Sequence, residues 1–168
     1  MKTLVLGGAR SGKSHYAEQT VDQLQRQVVY IATAESGDQE MQQRINMHQA
    51  QRPATWQLVE EPINLSEALF NNDNNTNVIL VDCLTLWLSN VLAENDSNTQ
   101  EKVDELVDAV SQVSAELVMV SNEVGQGVVP MGELTRKFVD ESGRMHQKLA
   151  QVCEHVVIIT AGLPQILK

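Results

Sequence analysis

Five short apolar runs constrain this chain more than any other feature. They are TLVLG at 3–7, VVYIAT at 28–33, NVILVDC at 77–83, ELVMVSN at 116–122 and HVVIIT at 155–160. Each is near-continuous rather than alternating, as strands covered on both faces must be. Helix-like segments separate them, at roughly 13–26, 38–51, 84–94, 101–114 and 133–152. Strand, helix, strand in this rhythm predicts a three-layer α/β fold with a mostly parallel central sheet. Right-handed crossovers then place the C-terminal ends of the strands on one edge, where open α/β sheets bind ligands. The polar stretches NNDNNTN at 71–77 and ENDSNTQ at 94–100 read as exposed loops. With 168 residues and no repeat or composition break, the chain is expected to form one domain, 1–168.

The first run leads into LGGARSGKSHYAEQ. Gly7 to Ser14 fits G-x-x-x-x-G-K-S in full, after a strand and before a helix. Gly7, Gly8, Ala9, Arg10, Ser11 and Gly12 would turn backbone N–H groups toward phosphate oxygens. The helix start adds free N–H groups and a positive dipole end. Lys13 would contact the β- and γ-phosphates, and the Ser14 hydroxyl would face Mg²⁺. The fold class is therefore P-loop NTPase-like. Asp82, closing VILVD, suits the second acidic group on the metal side, usually acting through water. A helix cap before LTLWLSNVL is the competing role for it.

The composition is acidic, with 12 Lys plus Arg against 22 Asp plus Glu and a net charge of −10. That balance argues against a nucleic-acid surface but permits an anionic small molecule in a local basic pocket. Cys83 and Cys153 lie in apolar runs without metal or redox spacing, so buried free thiols are expected. No apolar stretch is long enough to predict a transmembrane helix, and Gly7 and Gly8 interrupt any signal-like run. A cytoplasmic protein is expected.

A second constellation lies in DQEMQQRINMHQAQRPATW, 38–56. On a helix, Arg44 and His48 share a face, and Arg52 lies a turn further on. Two guanidinium groups would hold the imidazole neutral and nucleophilic beside a phosphate. A surface histidine on a polar helix fits the same residues. The loop VSNEVGQGVVPMGELTR, 120–136, puts Asn122 and Glu123 at the ligand edge. There Glu123 could help hold Mg²⁺ or accept a substrate proton, or the loop could be a plain crossover. His15 reads as a helix-surface residue. His146 and His155 show no clear partner, and Arg136, Arg144 and Lys148 read as a solvated helix face.

Together GGARSGKS, EMQQRINMHQAQRPATW, VDCLTLWLSN and SNEVGQGVVPMGELTRKFVDESGRMHQKLA resemble the bifunctional adenosylcobinamide kinase / adenosylcobinamide-phosphate guanylyltransferase family. The likeness spans essentially the whole chain. It implies ATP- or GTP-dependent phosphorylation of adenosylcobinamide, then GMP transfer from GTP through a guanylylated histidine. The product is adenosylcobinamide-GDP, in cobalamin biosynthesis. The family's histidine falls on His48, its phosphate-loop pair on Lys13 and Ser14, and its strand-end acid on Asp82. The chain departs from the family at Val139–Asp140 and His146–Gln147. The expected catalytic residues are His48 and Lys13. The nucleotide-binding set is Gly7 to Ser14 with Arg44, Arg52, Glu60 and Asp82, and Ser14 and Asp82 are the Mg²⁺ side. ATP and GTP are substrates, and a homo-oligomer is expected from the resemblance, with Trp56 and Trp87 as candidate interface or core residues. A simple kinase without a nucleophilic histidine, and a non-catalytic NTP-dependent switch, are the alternatives.

Overall fold

The structure is a computed structural model and describes residues 1–34 and 53–168. The predicted helix at 38–51 lies outside the described residues, with Arg44, His48 and Arg52. The predicted strands form as β1 (Lys2–Gly7), β2 (Gln27–Ala32), β4 (Asn77–Asp82), β5 (Glu116–Asn122) and β6 (His155–Thr160). Two further strands join them, β3 (Gln57–Glu60) and β7 (Leu163–Ile166). The sheet order is β3-β2-β4-β5-β1-β6-β7. All pairings are parallel except β6 with β7. Neither added strand carries a continuous apolar run. β7 is exposed along its length and β3 nearly so, because each closes an edge of the sheet.

Helix α1 (Lys13–Gln23) covers one face. Its Ala17 and Val21 pack with Val5, Val28, Tyr30, Val78, Leu80, Val118 and Val157. The other face carries α2 (Leu65–Asn71), α3 (Leu84–Glu94), α4 (Thr99–Gln112) and α5 (Glu133–Val152). Alternate residues of the same strands, such as Leu4, Leu6, Ile79, Leu117 and Met119, meet them. This two-sided burial is why the runs could not alternate polar and apolar. Helix α2, at seven residues, is too short for a helical period to show in the sequence. Helix α4 begins at Thr99 rather than 101, after a 3₁₀ turn at Asp96–Asn98.

Trp87 has no exposed surface, and its indole N–H donates to the Ile63 carbonyl at 2.8 Å. It is a core residue, and the interface role drops out. Trp56 stacks on Tyr30 within the chain, ring centroids 6.3 Å apart. Both cysteines are buried free thiols. Burial pushes Cys83 up to about 11, helped by neighbouring Asp82, and Cys153 up to about 12.

The 71–77 loop is more than a spacer. One oxygen of Asp73 accepts the Ser114 N–H, the Ser114 hydroxyl and the Ala115 N–H, each at 2.8 Å. It ties the approach to β4 to the approach to β5. Partial burial pushes its carboxyl up, but the Ala115 and Ser114 hydrogen bonds outweigh this and leave it below 3.8. A depressed folded pKa stabilises the fold fully above the unfolded value, and that stabilisation is lost as pH falls through the folded one. Asp73→Ala is expected to lower unfolding stability by about 1 kcal/mol at neutral pH. The difference from wild type should shrink as pH drops below 3.8, as urea titrations at neutral and acid pH will show. A pH-independent difference would rule out the charged hydrogen bonds as its source.

Candidate nucleotide site

β1 ends at Gly7 in the middle of the sheet, between β5 and β6. A Cβ on Gly7 would stand 2.5 Å from Ser11 Oγ and 2.7 Å from the Ile159 carbonyl, so only glycine fits. Gly12 adopts φ +99°, and a Cβ there would lie 3.3 Å from the Gly162 Cα. Gly8 is different: among the described residues nothing lies within 4 Å of its Cβ position, so its freedom serves the open side of the loop. Arg10 also takes a left-handed φ, 55°. The loop is closed by the Ser11 N–H on the Gly8 carbonyl at 3.2 Å. It is buttressed by the Gly162 N–H on the Ser11 carbonyl at 2.8 Å, so the β6–β7 turn carries one side of it.

Gly12 caps α1 and makes no side-chain cap bond to the N–H groups of its first turn. Uncapped N–H groups beside a glycine loop form an anion site. Lys13 Nζ arches back over the loop to the Gly8 carbonyl at 3.2 Å. Ser14 follows in the first turn.

Asp82 ends β4, which is separated from β1 by β5. Two strand spacings, roughly 10 Å, separate β4 from β1, and Asp82 stands level with Val5, two residues before Gly7. Its alternation matches Val78 and Leu80, so it lies on the α1 side of the sheet. The cap of α3 is Cys83, without a side-chain cap bond, so Asp82 does not serve as the helix cap. Its Oδ2 instead accepts the Tyr30 hydroxyl at 3.1 Å. The peptide between Asp82 and Cys83 is cis. Thr33 braces the same edge: its hydroxyl donates to the Cys83 carbonyl at 2.7 Å and accepts the Cys83 N–H at 3.0 Å. Asn90 adds a bond to the Thr33 carbonyl at 2.8 Å. In the sequence Tyr30 and Thr33 stand as ordinary members of the apolar run VVYIAT, with no signal of these contacts.

A hydroxyl on Ser14 and a carboxylate on Asp82 are hard oxygen donors on one face. Among the described residues no three His, Cys, Asp or Glu side chains cluster as a protein-only metal site. Such a sparse donor set fits Mg²⁺ held mostly by nucleotide phosphates and water.

Glu60 ends β3 at the same edge, paired with Ala32, but exposed and four strand spacings from Gly7. That is roughly 19 Å, so it does not join the phosphate loop. Asn122 pairs with Gly7, and the Glu123 N–H donates to the Gly7 carbonyl at 3.0 Å. Asn122 Oδ1 is buried and has no hydrogen-bond partner among the described residues. Beyond it Val128, Val129 and Met131 stand exposed, as does Leu134 at the start of α5. Arg136 is not merely solvated, since its guanidinium donates to the Pro130 and Met131 carbonyls and closes this loop. His146 does have a partner: its Nε2 lies 2.7 Å from Ser121 Oγ. Burial lowers the imidazole pKa, and the Glu123 carboxylate opposes that shift.

The glycine loop, the uncapped α1, Lys13 and the facing strand-end acid define a P-loop nucleotide-binding α/β protein. The RadB recombinase shares the fold, with TM-score 0.56 at 15% identity over 93% of this chain and 72% of that one. The chain belongs to the cobinamide kinase / cobinamide phosphate guanyltransferase family, whose model matches residues 3–167. A Pseudomonas aeruginosa relative, bifunctional adenosylcobalamin biosynthesis protein CobP, is 47% identical over 100% of this chain and 98% of its own. The Escherichia coli bifunctional adenosylcobalamin biosynthesis protein CobU is 36% identical over 97% of each.

Proposed function

We propose that this chain phosphorylates adenosylcobinamide with ATP or GTP and then transfers GMP from GTP to the resulting phosphate. The observation that carries the reading is the phosphate loop with Lys13 and Ser14, with Asp82 two strands away at the same edge, in a chain the family matches over residues 3–167. In the kinase step a substrate hydroxyl oxygen attacks the γ-phosphorus and the bond to the β-phosphate bridge breaks. The nucleoside diphosphate leaves and the hydroxyl proton passes to a base, for which Glu123 is the candidate at this edge. The loop N–H groups, the first turn of α1 and Lys13 hold the charge that spreads over the transferring oxygens. Mg²⁺, held by Ser14 and the Asp82 side, would supply further charge neutralisation when bound.

In the second step an imidazole nitrogen of His48 attacks the α-phosphorus of GTP and pyrophosphate leaves. A phosphate oxygen of the cobinamide phosphate then displaces the histidine and takes the GMP. Splitting a difficult transfer into two easier ones is what a covalent nucleophile contributes. Arg44 and Arg52 are assigned to the phosphoryl oxygens, and Glu60 to the nucleotide on the β2–β3 side of the edge.

A homo-oligomer belongs to this proposal, supported by the exposed apolar residues Val128, Val129, Met131 and Leu134. A reducing, cytoplasmic setting suits two buried thiols, and no helix among the described residues is long and apolar enough to cross a membrane. Purified protein with ATP, Mg²⁺ and adenosylcobinamide should yield the phosphate, and with GTP the GDP-linked product. Nucleotide binding without either product would identify a switch and overturn the reading.

A further inference from the structure

A buried polar chain runs beneath the ligand edge, on the side of the sheet whose core includes Met119, Met145 and Leu149. His146, 7% exposed, stands midway along α5 with Nε2 2.7 Å from Ser121 Oγ. Ser121 Oγ is 3.4 Å from Thr85 Oγ1. Thr85 Oγ1 accepts the Asn122 N–H at 2.7 Å. One ordering satisfies each donor along this chain. The Asn122 N–H gives to Thr85, the Thr85 hydroxyl to Ser121, and the Ser121 hydroxyl to the imidazole. In that ordering the ring is neutral, accepts at Nε2 and carries its proton on Nδ1.

Three buried polar side chains in an apolar layer are costly unless connected, and an apolar residue at 146 would fill the space without them. What the network gains is position. Ser121 and Asn122 pair with Leu6 and Gly7 of the phosphate-loop strand. Thr85 sits in the first turn of α3, just after Asp82. Helix α5 begins where the loop from Glu123 to Gly132 ends. The chain therefore fastens the strand carrying the phosphate loop, the helix after the strand-end acid and the helix after the acceptor-side loop to one another.

We propose that His146 is a positioning residue for phosphoryl transfer, acting through Ser121 and Thr85 to fix the Asn122–Glu123 edge against Gly7 and Asp82. The inference rests on the reading that this edge carries the kinase step. The groups assigned to the triphosphate, the 7–14 loop and Lys13, lie on β1 and α1 and are not members of the network. Losing it should therefore slow turnover while leaving nucleotide binding in place, as small misplacements of reacting groups do.

The test measures kcat and the KM for ATP in adenosylcobinamide phosphorylation. Three single variants are compared with wild type: His146→Leu, Ser121→Ala and His146→Gln, whose carbonyl can stand where Nε2 stands. His146→Leu and Ser121→Ala are expected to lower kcat about tenfold with KM for ATP within about twofold of wild type. The double variant should be no slower than either single, because both cut one chain. His146→Gln should recover most of the loss. Ser121→Ala changes volume little and decides the question if His146→Leu fails to fold. Unchanged kcat in the folded variants, a rise in KM alone, losses that multiply, or no recovery by glutamine would each overturn the inference while the kinase reading stands. A wild type that makes no cobinamide phosphate would overturn both.

Discussion

Lys13→Ala will lower adenosylcobinamide phosphorylation on the order of 100-fold or more while leaving the fold intact. The lysine follows Gly12 in the first helical position, where its ammonium arches over the loop to the Gly8 carbonyl. In the transition state, charge grows on the transferring phosphoryl oxygens, and a positioned ammonium is worth most there. Backbone N–H groups of the loop and of α1 remain in the variant, so nucleotide binding should weaken less than turnover. The same side chain does little for the fold, since its hydrogen bond to the Gly8 carbonyl is exposed. Circular dichroism and the thermal midpoint should therefore match wild type. Near-normal turnover by the variant would remove Lys13 from the mechanism.

His48→Ala is expected to abolish GMP transfer and leave substantial kinase activity. The kinase step uses a substrate hydroxyl as its nucleophile and has no need of an imidazole. The second step as proposed does, and the RINMHQAQRP segment is the stretch that sets a histidine between two arginines. Its pH dependence has a definite sign: the ring must be neutral to attack, so transfer should fade as pH falls through the His48 pKa. Wild type and variant are incubated with GTP labelled at the α-phosphate, denatured in base, and mapped. A phosphorus–nitrogen bond survives base and breaks in acid. Label retained by His48→Ala, or found in wild type on another residue, would exclude this histidine. Arg44→Ala or Arg52→Ala should slow transfer more than it weakens folding, since both are assigned to phosphate charge.

Much of the site could be read from the chain because its signals are local. Gly7 to Ser14 is one continuous loop, so its glycine, lysine and serine spacing stands in the sequence itself. The structure adds the steric reason, a missing Cβ at Gly7 and a positive φ at Gly12. Asp82 could be placed at a strand end, but its role as metal-side acid or helix cap was ambiguous. The tertiary structure removes the second of these roles: Cys83 takes the cap position, while the Asp82 carboxylate accepts the Tyr30 hydroxyl.

Sequence alone determined the layered α/β class, the five central strands and the phosphate loop. Continuous apolar runs and glycine spacing record burial and backbone geometry within a few residues. Only the tertiary structure decided which strands are neighbours and what each buried polar group touches. β3 and β7 exist because β2 and β6 offer them unpaired edges, and their own residues carry almost no burial signal. The placing of β5 between β1 and β4 sets the distance from Gly7 to Asp82, and no local pattern encodes it. His146 and Ser121 are 25 residues apart in the chain yet 2.7 Å apart in space. Such a contact is made by packing a helix onto a sheet, so it becomes visible only once the sheet is assembled.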